Sequence, residues 1–244
     1  MVRKLYLCLF FIISVQSKKL PDYLQDLRCS VENDFDACFV KNANKAIPLV
    51  ARGDPNLNIP KMNPLEIPFM RMISTPTLQL NLTDVKVYGL EKMKVLENKF
   101  DWDKSLFAIT LKGENITVTG QYSIDGNVLV MPIKGEGPFS VLLDNGVYKV
   151  RCVVPTIQKD DGLLYFSLTD IEANYVFKRI VFNFENLFEG NEELGKQTNE
   201  FLNENWDLLV SDFGPGIANI IASMIKKVSD GITQVVPIQD FFII

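Results

Sequence analysis

Carboxylates are the first candidates for chemistry in this chain. Asp101 and Asp103 flank Trp102, and Asp160 and Asp161 are adjacent, so either pair has the residue types for acid/base work if its two pKa values are pushed apart. Their settings argue against that use, because Asp160-Asp161-Gly162 has the composition of a hairpin turn and the other pair reads as a solvated loop. The chain has no histidine. That absence removes Ser-His-Asp and Cys-His nucleophile pairs, together with the commonest zinc ligand. No nucleophile-elbow, phosphate-loop or dinucleotide-binding glycine pattern is present. The residues therefore point away from an enzyme, and neither a metal nor a cofactor is expected. What remains is binding chemistry. Seventeen phenylalanines supply apolar surface, and Tyr122, Tyr148, Tyr165 and Tyr175 offer hydroxyls to a carbonyl or epoxide oxygen.

An apolar binding face needs elements to hold it, and the C-terminal third provides the clearest one. From Asn191 to about Asp230, Leu194, Leu202, Trp206, Leu209, Phe213, Ile217, Ile220, Met224 and Val228 recur at steps of mostly three or four. Phe201, Leu208, Ile221 and Ile225 widen the stripe beyond a coiled-coil seam. Such a helix would be roughly 60 Å long, too long for one flat partner to cover. Asn191 is placed to cap its start and Glu192 and Glu193 suit the positive end of the dipole, while Lys226, Lys227 and Gly231 suit its end. Gly214-Pro215-Gly216 interrupts the pattern, and predicts either a kink or two helices end to end at that point.

At the other terminus, Arg3 and Lys4 precede an apolar run from Leu5 to Val15 that ends in Val15-Gln16-Ser17, the form of a signal peptide covering residues 1–17. The run is too short to span a bilayer. The expectation is a secreted, extracellular protein with one domain over residues 18–244. Without Arg3 and Lys4 there are 23 basic and 30 acidic residues, a net charge of −7. An acidic chain with no basic stripe is a poor partner for nucleic acid or an anionic membrane, and no stable membrane insertion is expected. In an oxidising compartment Cys29 and Cys38 read as a disulfide closing a small loop. Cys152 sits among alternating Tyr148, Val150 and Val154, as a buried thiol in a strand would.

Between these ends the pattern is of strands. Short helices are expected from Leu20 to Ala46, and then Pro55, Pro60, Pro64 and Pro68 impose extended backbone. Leu78, Leu80 and Leu82 alternate, and Val85 and Val87 resume out of phase, which predicts a bulge near Thr83 and Asp84. Alternating runs continue to Phe184, with turn signals at Gly113-Glu114-Asn115, Asp125-Gly126-Asn127, Asn145-Gly146 and Asp161-Gly162. The whole reads as an antiparallel meander with one apolar face. Asn81-Leu82-Thr83 and Asn115-Ile116-Thr117 are glycosylation acceptors in a secreted chain.

The chain resembles the insect takeout and haemolymph juvenile-hormone-binding proteins over nearly all of residues 20 to 242. The resemblance rests on Leu20-Pro21, Cys29, Cys38, Gly53-Asp54-Pro55-Asn56-Leu57-Asn58-Ile59-Pro60 and Pro64-Leu65-Glu66-Ile67. A second signature runs Phe182-Asn183-Phe184-Glu185-Asn186-Leu187-Phe188-Glu189-Gly190 and on to Phe201-Leu202-Asn203-Glu204-Asn205-Trp206. Asn63 in place of the usual aspartate, the glycines around Pro215 and the single Cys152 depart from the pattern. The resemblance implies an α+β fold in which a long C-terminal helix is wrapped by a strongly curved antiparallel sheet, related to the tubular lipid-binding proteins. It also implies a non-enzymatic carrier that encloses an elongated hydrophobic molecule, such as a fatty acid, terpenoid or juvenoid. The missing second disulfide favours the takeout branch. On this reading Trp206, Leu209, Phe213, Ile217 and Ile220 line the site from the helix, with Phe107, Ile109, Tyr122, Tyr148 and Phe166 from the sheet. The alternative is a secreted module that binds a protein partner or receptor and has a filled core.

Overall fold

The structure is a computed structural model, and it describes residues 19–74 and 77–243, so the expected signal peptide lies outside the described residues. Its centre is one long hairpin. Strands β5 (Leu106–Val128) and β6 (Met131–Val153) are 23 residues each and stay in register from Leu106 opposite Val153 to Val128 opposite Met131. Each half of the hairpin has its own neighbours. β4 (Lys94–Asp101) pairs with the first half of β5, and β3 (Leu78–Tyr88) with the second. β10 (Arg179–Phe184) and β9 (Thr169–Val176) divide β6 in the same way, and β2 (Leu65–Ser74) pairs outside β3. All of these pairings are antiparallel. The protein is α+β, a curved antiparallel sheet wrapped round a long C-terminal helical segment.

Three of the four expected turns are strand. Gly113 faces Gly146 within the hairpin, and the strands run through both. The face that points inward changes there: Leu111 and Tyr148 share the core with Ile116 and Leu143, which sit at opposite pleat parity. Glycine and Asn145, at φ 48°, accommodate that change of face, so the signal marks a twist in place of a reversal. Gly126 is needed for close approach, since a Cβ there would lie 2.2 Å from the carbonyl oxygen of Thr77. The reversal itself falls at Leu129-Val130, with Leu129 at φ 55°. The Asp161-Gly162 turn is as expected, between β7 (Thr156–Gln158) and β8 (Leu164–Phe166). The bulge near Asp84 is present as well: the β3–β5 register shifts between Thr83 and Lys86, with Asp84 at φ 50°.

Helix α1 (Asp22–Gln25) leads into β1 (Cys29–Ser30), and the Cys29–Cys38 disulfide joins that strand to α2 (Phe35–Val50). β1 pairs in parallel with β11 (Phe242–Ile243), which brings the two ends of the described chain together. α2 closes the free edge of β4. The Asn44 side chain accepts from the Val95 N–H at 2.9 Å and donates to its carbonyl at 2.9 Å, as a neighbouring strand residue would.

The C-terminal stripe forms α3 (Glu192–Glu204) and α4 (Trp206–Thr233). Asn191 caps α3 by accepting from the Leu194 N–H at 3.1 Å. The break lies at Asn205, where the side chain turns back to donate to the Phe201 carbonyl at 2.8 Å. α4 runs without interruption through Pro215, so the alternative of two helices meeting at that point does not hold. Gly214 eases this, because its missing Cβ removes one of the contacts that keep a residue before proline out of helical geometry. Gly231 also lies inside α4 and not at its end. A Cβ there would lie 2.5 Å from the Leu57 carbonyl oxygen, so the glycine admits the 3₁₀ turn at Pro55–Leu57.

Candidate functional site

The candidate site is the face of α4 turned towards the concave side of the sheet. Asp207, Ser211, Asp212, Pro215, Asn219, Ser223 and Lys227 are exposed and define the outer stripe of the helix. At 100° per residue Trp206, Leu209, Phe213, Ile217, Ile220 and Met224 project from the opposite side. Of these six, Leu209 alone is fully buried. By length and composition α4 would also pass as a membrane span, and its apolar surface is accordingly large. A filled interior packs as densely as an organic crystal and would leave such side chains inaccessible. Ile217 and Ile220 are partly buried.

The expected lining residues divide into three groups. Tyr122, Tyr148 and Leu209 are buried members of the central apolar cluster, and Phe213 packs against it. Phe107 and Phe166 lie apart, against a smaller cluster of Cys152, Val154 and Leu168, where Phe107 also meets Phe39 of α2 at 5.5 Å between ring centres. Ile109, Trp206, Ile217 and Ile220 are partly buried and belong to neither cluster. The sequence reading missed Phe177, Phe182 and Phe184, which also pack on the central cluster. Their alternation along β10 and from Tyr175 to Phe177 was the available signal. Two open recesses on the outer surface, of about 400 Å³ beside Phe242 and about 300 Å³ at the β3 bulge, are not lined by α4.

The four tyrosine hydroxyls have different fates. Tyr122 donates to the Glu185 carbonyl at 2.6 Å, and Tyr165 donates to Asp161 at 2.6 Å. Tyr175 donates to the Gly214 carbonyl at 3.0 Å. Tyr148 is 6% exposed, and among the described residues its hydroxyl has no partner. Its ring lies over the Gly113–Gly146 pair, where a Cβ on Gly146 would sit 2.7 Å from the phenol oxygen, and stands edge-on to Phe177 at 5.7 Å. Burial raises the Tyr148 phenol well above its ordinary value, so it is a neutral donor. Burial, followed by the charges of Glu136 and Glu185, pushes Tyr122 up to about 12.

Charge is scarce inside. Among the described residues Thr198 is, apart from tyrosines and cysteines, the one fully buried polar or charged side chain, so no buried cation waits for a carboxylate. The carboxylate pairs hold turns on the surface. Asp101 accepts from the Lys104 N–H at 3.1 Å, which lowers its pKa, and Asp161 is lowered by the Tyr165 hydroxyl and then by the Leu163 N–H. Among the described residues no cluster of His, Cys, Asp or Glu is arranged to hold a metal. Cys152 is a free, buried thiol as expected, and burial raises it to about 11.

Comparisons with known proteins agree with this geometry. The sequence model of the family described as haemolymph juvenile hormone binding protein (JHBP) matches residues 6–243. The circadian clock-controlled protein daywake of Drosophila yakuba is 24% identical over 225 residues, covering 88% of this chain and 86% of the relative. Daywake of Drosophila melanogaster matches with the same identity and coverage. The crystal structure of Epiphyas postvittana Takeout 1 superposes with a TM-score of 0.81 at 25% identity, covering 89% of this chain and 99% of that one.

Proposed function

Because this chain belongs to the haemolymph juvenile hormone binding protein family, we propose that it is a secreted, non-enzymatic carrier holding an elongated apolar molecule between α4 and the sheet. One observation carries the reading further than family membership does: the unpaired, buried hydroxyl of Tyr148. A hydroxyl without a partner in an apolar interior costs roughly 1–3 kcal/mol, and a ligand oxygen that accepts its proton offsets that cost. The ligand is then a long apolar molecule with one neutral acceptor oxygen, such as an ester, ketone or epoxide. A free carboxylate finds no buried cation to meet it.

In this proposal Phe107, Ile109, Phe166, Trp206, Leu209, Phe213, Ile217 and Ile220 supply apolar contact and Tyr148 supplies orientation. Tyr122 contributes its ring, since its hydroxyl is committed to Glu185. Secretion and glycan attachment at Asn81 and Asn115 belong to the same reading. Asn115 is exposed and Asn81 lies between inward-facing Leu80 and Leu82, which turns it outward.

The test is organic extraction of the purified protein followed by mass spectrometry, together with titration by cis-parinaric acid and its methyl ester. Recovery of a neutral apolar molecule, and tighter binding of the ester than of the acid, are the expected results. Extraction of no lipid and failure to bind either probe would instead favour a filled core that serves a protein partner.

A further inference from the structure

The curved sheet has two free margins, β2 on one side and β9 with β10 on the other, and the C-terminal helices lie between them. The attachment along this seam is uneven. At the α3 end, Asn199 and Asn203 each bond both the N–H and the carbonyl of a β10 residue, Phe184 and Phe182, at 2.7–2.9 Å. At the far end of α4, Lys226 donates to the Leu168 carbonyl at 3.2 Å, and Lys159 on the β7–β8 hairpin donates to the Gln234 carbonyl. Between them lies Gly214-Pro215-Gly216. Among the described residues one side-chain hydrogen bond joins this part of the helix to the sheet, from Tyr175 of β9 to the Gly214 carbonyl at 3.0 Å. On the β2 side the approach is to backbone, with a Cβ on Gly216 falling 3.6 Å from the Met72 carbonyl oxygen.

The helix is also weakest here from within. Pro215 has no N–H, so the helical bond to the Ser211 carbonyl is missing, and the flanking glycines add backbone freedom. Neither glycine has a side chain to pack across the seam. The point is not remote from the candidate site. Tyr175 stands 5.2 Å from Phe177, and Phe177 stands 5.7 Å from Tyr148, so three rings connect the seam to the unpaired hydroxyl.

We propose that ligand passes laterally through this seam, with Gly214-Pro215-Gly216 as the hinge and the Tyr175 hydroxyl as its latch. The proposal rests on the carrier reading and adds the route of entry to it. A latch outside the bound ligand alters the height of the barrier and not the depth of the well. Its loss therefore speeds association and dissociation together and leaves the equilibrium constant where it was.

The experiment measures both rates for the methyl ester of cis-parinaric acid, by stopped-flow binding and by transfer to phosphatidylcholine vesicles. In Tyr175→Phe both rates should rise about two- to tenfold, the factor that one neutral hydrogen bond is worth, with Kd unchanged. Pro215→Ala restores the missing main-chain bond, and both rates should fall. Hydrogen exchange gives a readout that needs no ligand: amides over residues 214–218 should exchange faster than those over 224–228, and faster still in Tyr175→Phe. Rates unmoved in both variants, or equal protection along α4, overturns the lateral route and leaves the carrier reading standing. A change in Kd with the association rate unchanged makes Tyr175 a binding contact and overturns the latch. Wild-type protein that binds no probe and yields no extracted lipid removes the carrier reading, and the route with it.

Discussion

Replacing Tyr148 with phenylalanine should raise the stability of the ligand-free protein and lower its affinity for ligand. The substitution deletes one oxygen whose desolvation nothing compensates, since the hydroxyl is buried and has no partner among the described residues. Removing such a group recovers about 1–3 kcal/mol, reduced by the small void left in its place. A net gain of about 1 kcal/mol shifts the melting temperature of a chain this long upward by roughly 2–4 °C. With an acceptor-bearing ligand bound the sign reverses, because the hydrogen bond it would have received is lost. That loss, about 0.5–1.5 kcal/mol, weakens binding of the parinaric methyl ester about two- to tenfold. Diphenylhexatriene, a hydrocarbon of similar shape, should bind both proteins alike. The measurements are thermal melts of delipidated protein and fluorescence titrations with the two probes. Tyr122→Phe is the internal contrast: it strands the Glu185 carbonyl and should lower the melting temperature. A Tyr148→Phe protein that melts below wild type, or that binds the ester as tightly, would refute the assignment.

Three further outcomes follow from the fold. Gly231→Ala places a methyl group 2.5 Å from the Leu57 carbonyl oxygen, so it should destabilise by about 1–3 kcal/mol although alanine is the better helix former; a melt at or above the wild-type temperature would contradict the packing. Asn203→Ala leaves both the N–H and the carbonyl of Phe182 without their partner and should cost about 2–3 kcal/mol by urea unfolding, whereas the exposed Asn219→Ala should cost less than about 0.5 kcal/mol. Burial raises Cys152 from 9.0 to about 11, so folding favours its protonated form, and the stability this contributes is complete below pH 9 and is lost as pH rises through 11. Cys152→Ala should flatten that decline, and in the wild type the thiol should resist Ellman's reagent at pH 8 until the chain is unfolded.

Much of the architecture was legible because its causes are local. The stripe from Leu194 to Val228, the cap at Asn191 and the phase change at Asp84 each express a period or a side-chain bond within a few residues. The errors share a different origin. Gly113, Gly126, Asn145 and Gly231 were read as punctuation, yet each serves a neighbour distant in sequence or a change of pleat, which no local window contains. Gly214-Pro215-Gly216 was read as the point where two helices could meet, and that junction lies instead at Asn205, where a side-chain bond to the Phe201 carbonyl closes α3. The candidate site was legible as a set of apolar residues and not as a set of roles. Four tyrosines looked equivalent until the carbonyls of Glu185 and Gly214 and the carboxylate of Asp161 claimed three of them.

The way the sheet's edges are closed bears on the proposed interior site. A sheet that closes on itself satisfies each edge with another strand, and at small strand number its inward side chains fill the lumen. Here helices close the edges. Asn44 of α2 serves Val95, and Asn199 and Asn203 of α3 serve Phe184 and Phe182, each amide matching one strand residue's donor and acceptor. Because asparagines four residues apart on a helix meet strand residues two apart, a rise of about 6.0 Å is matched to a pleat repeat of about 6.8 Å. That mismatch of about 0.8 Å per repeat accumulates and keeps such an amide ladder short. Beyond Asn203 the chain breaks at Asn205, and α4 continues along the seam on apolar contact and isolated side-chain bonds. The paired amide closure is therefore confined to α3, while α4 is held by single bonds, from Tyr175 at Gly214 and from Lys226 to Leu168 near its far end.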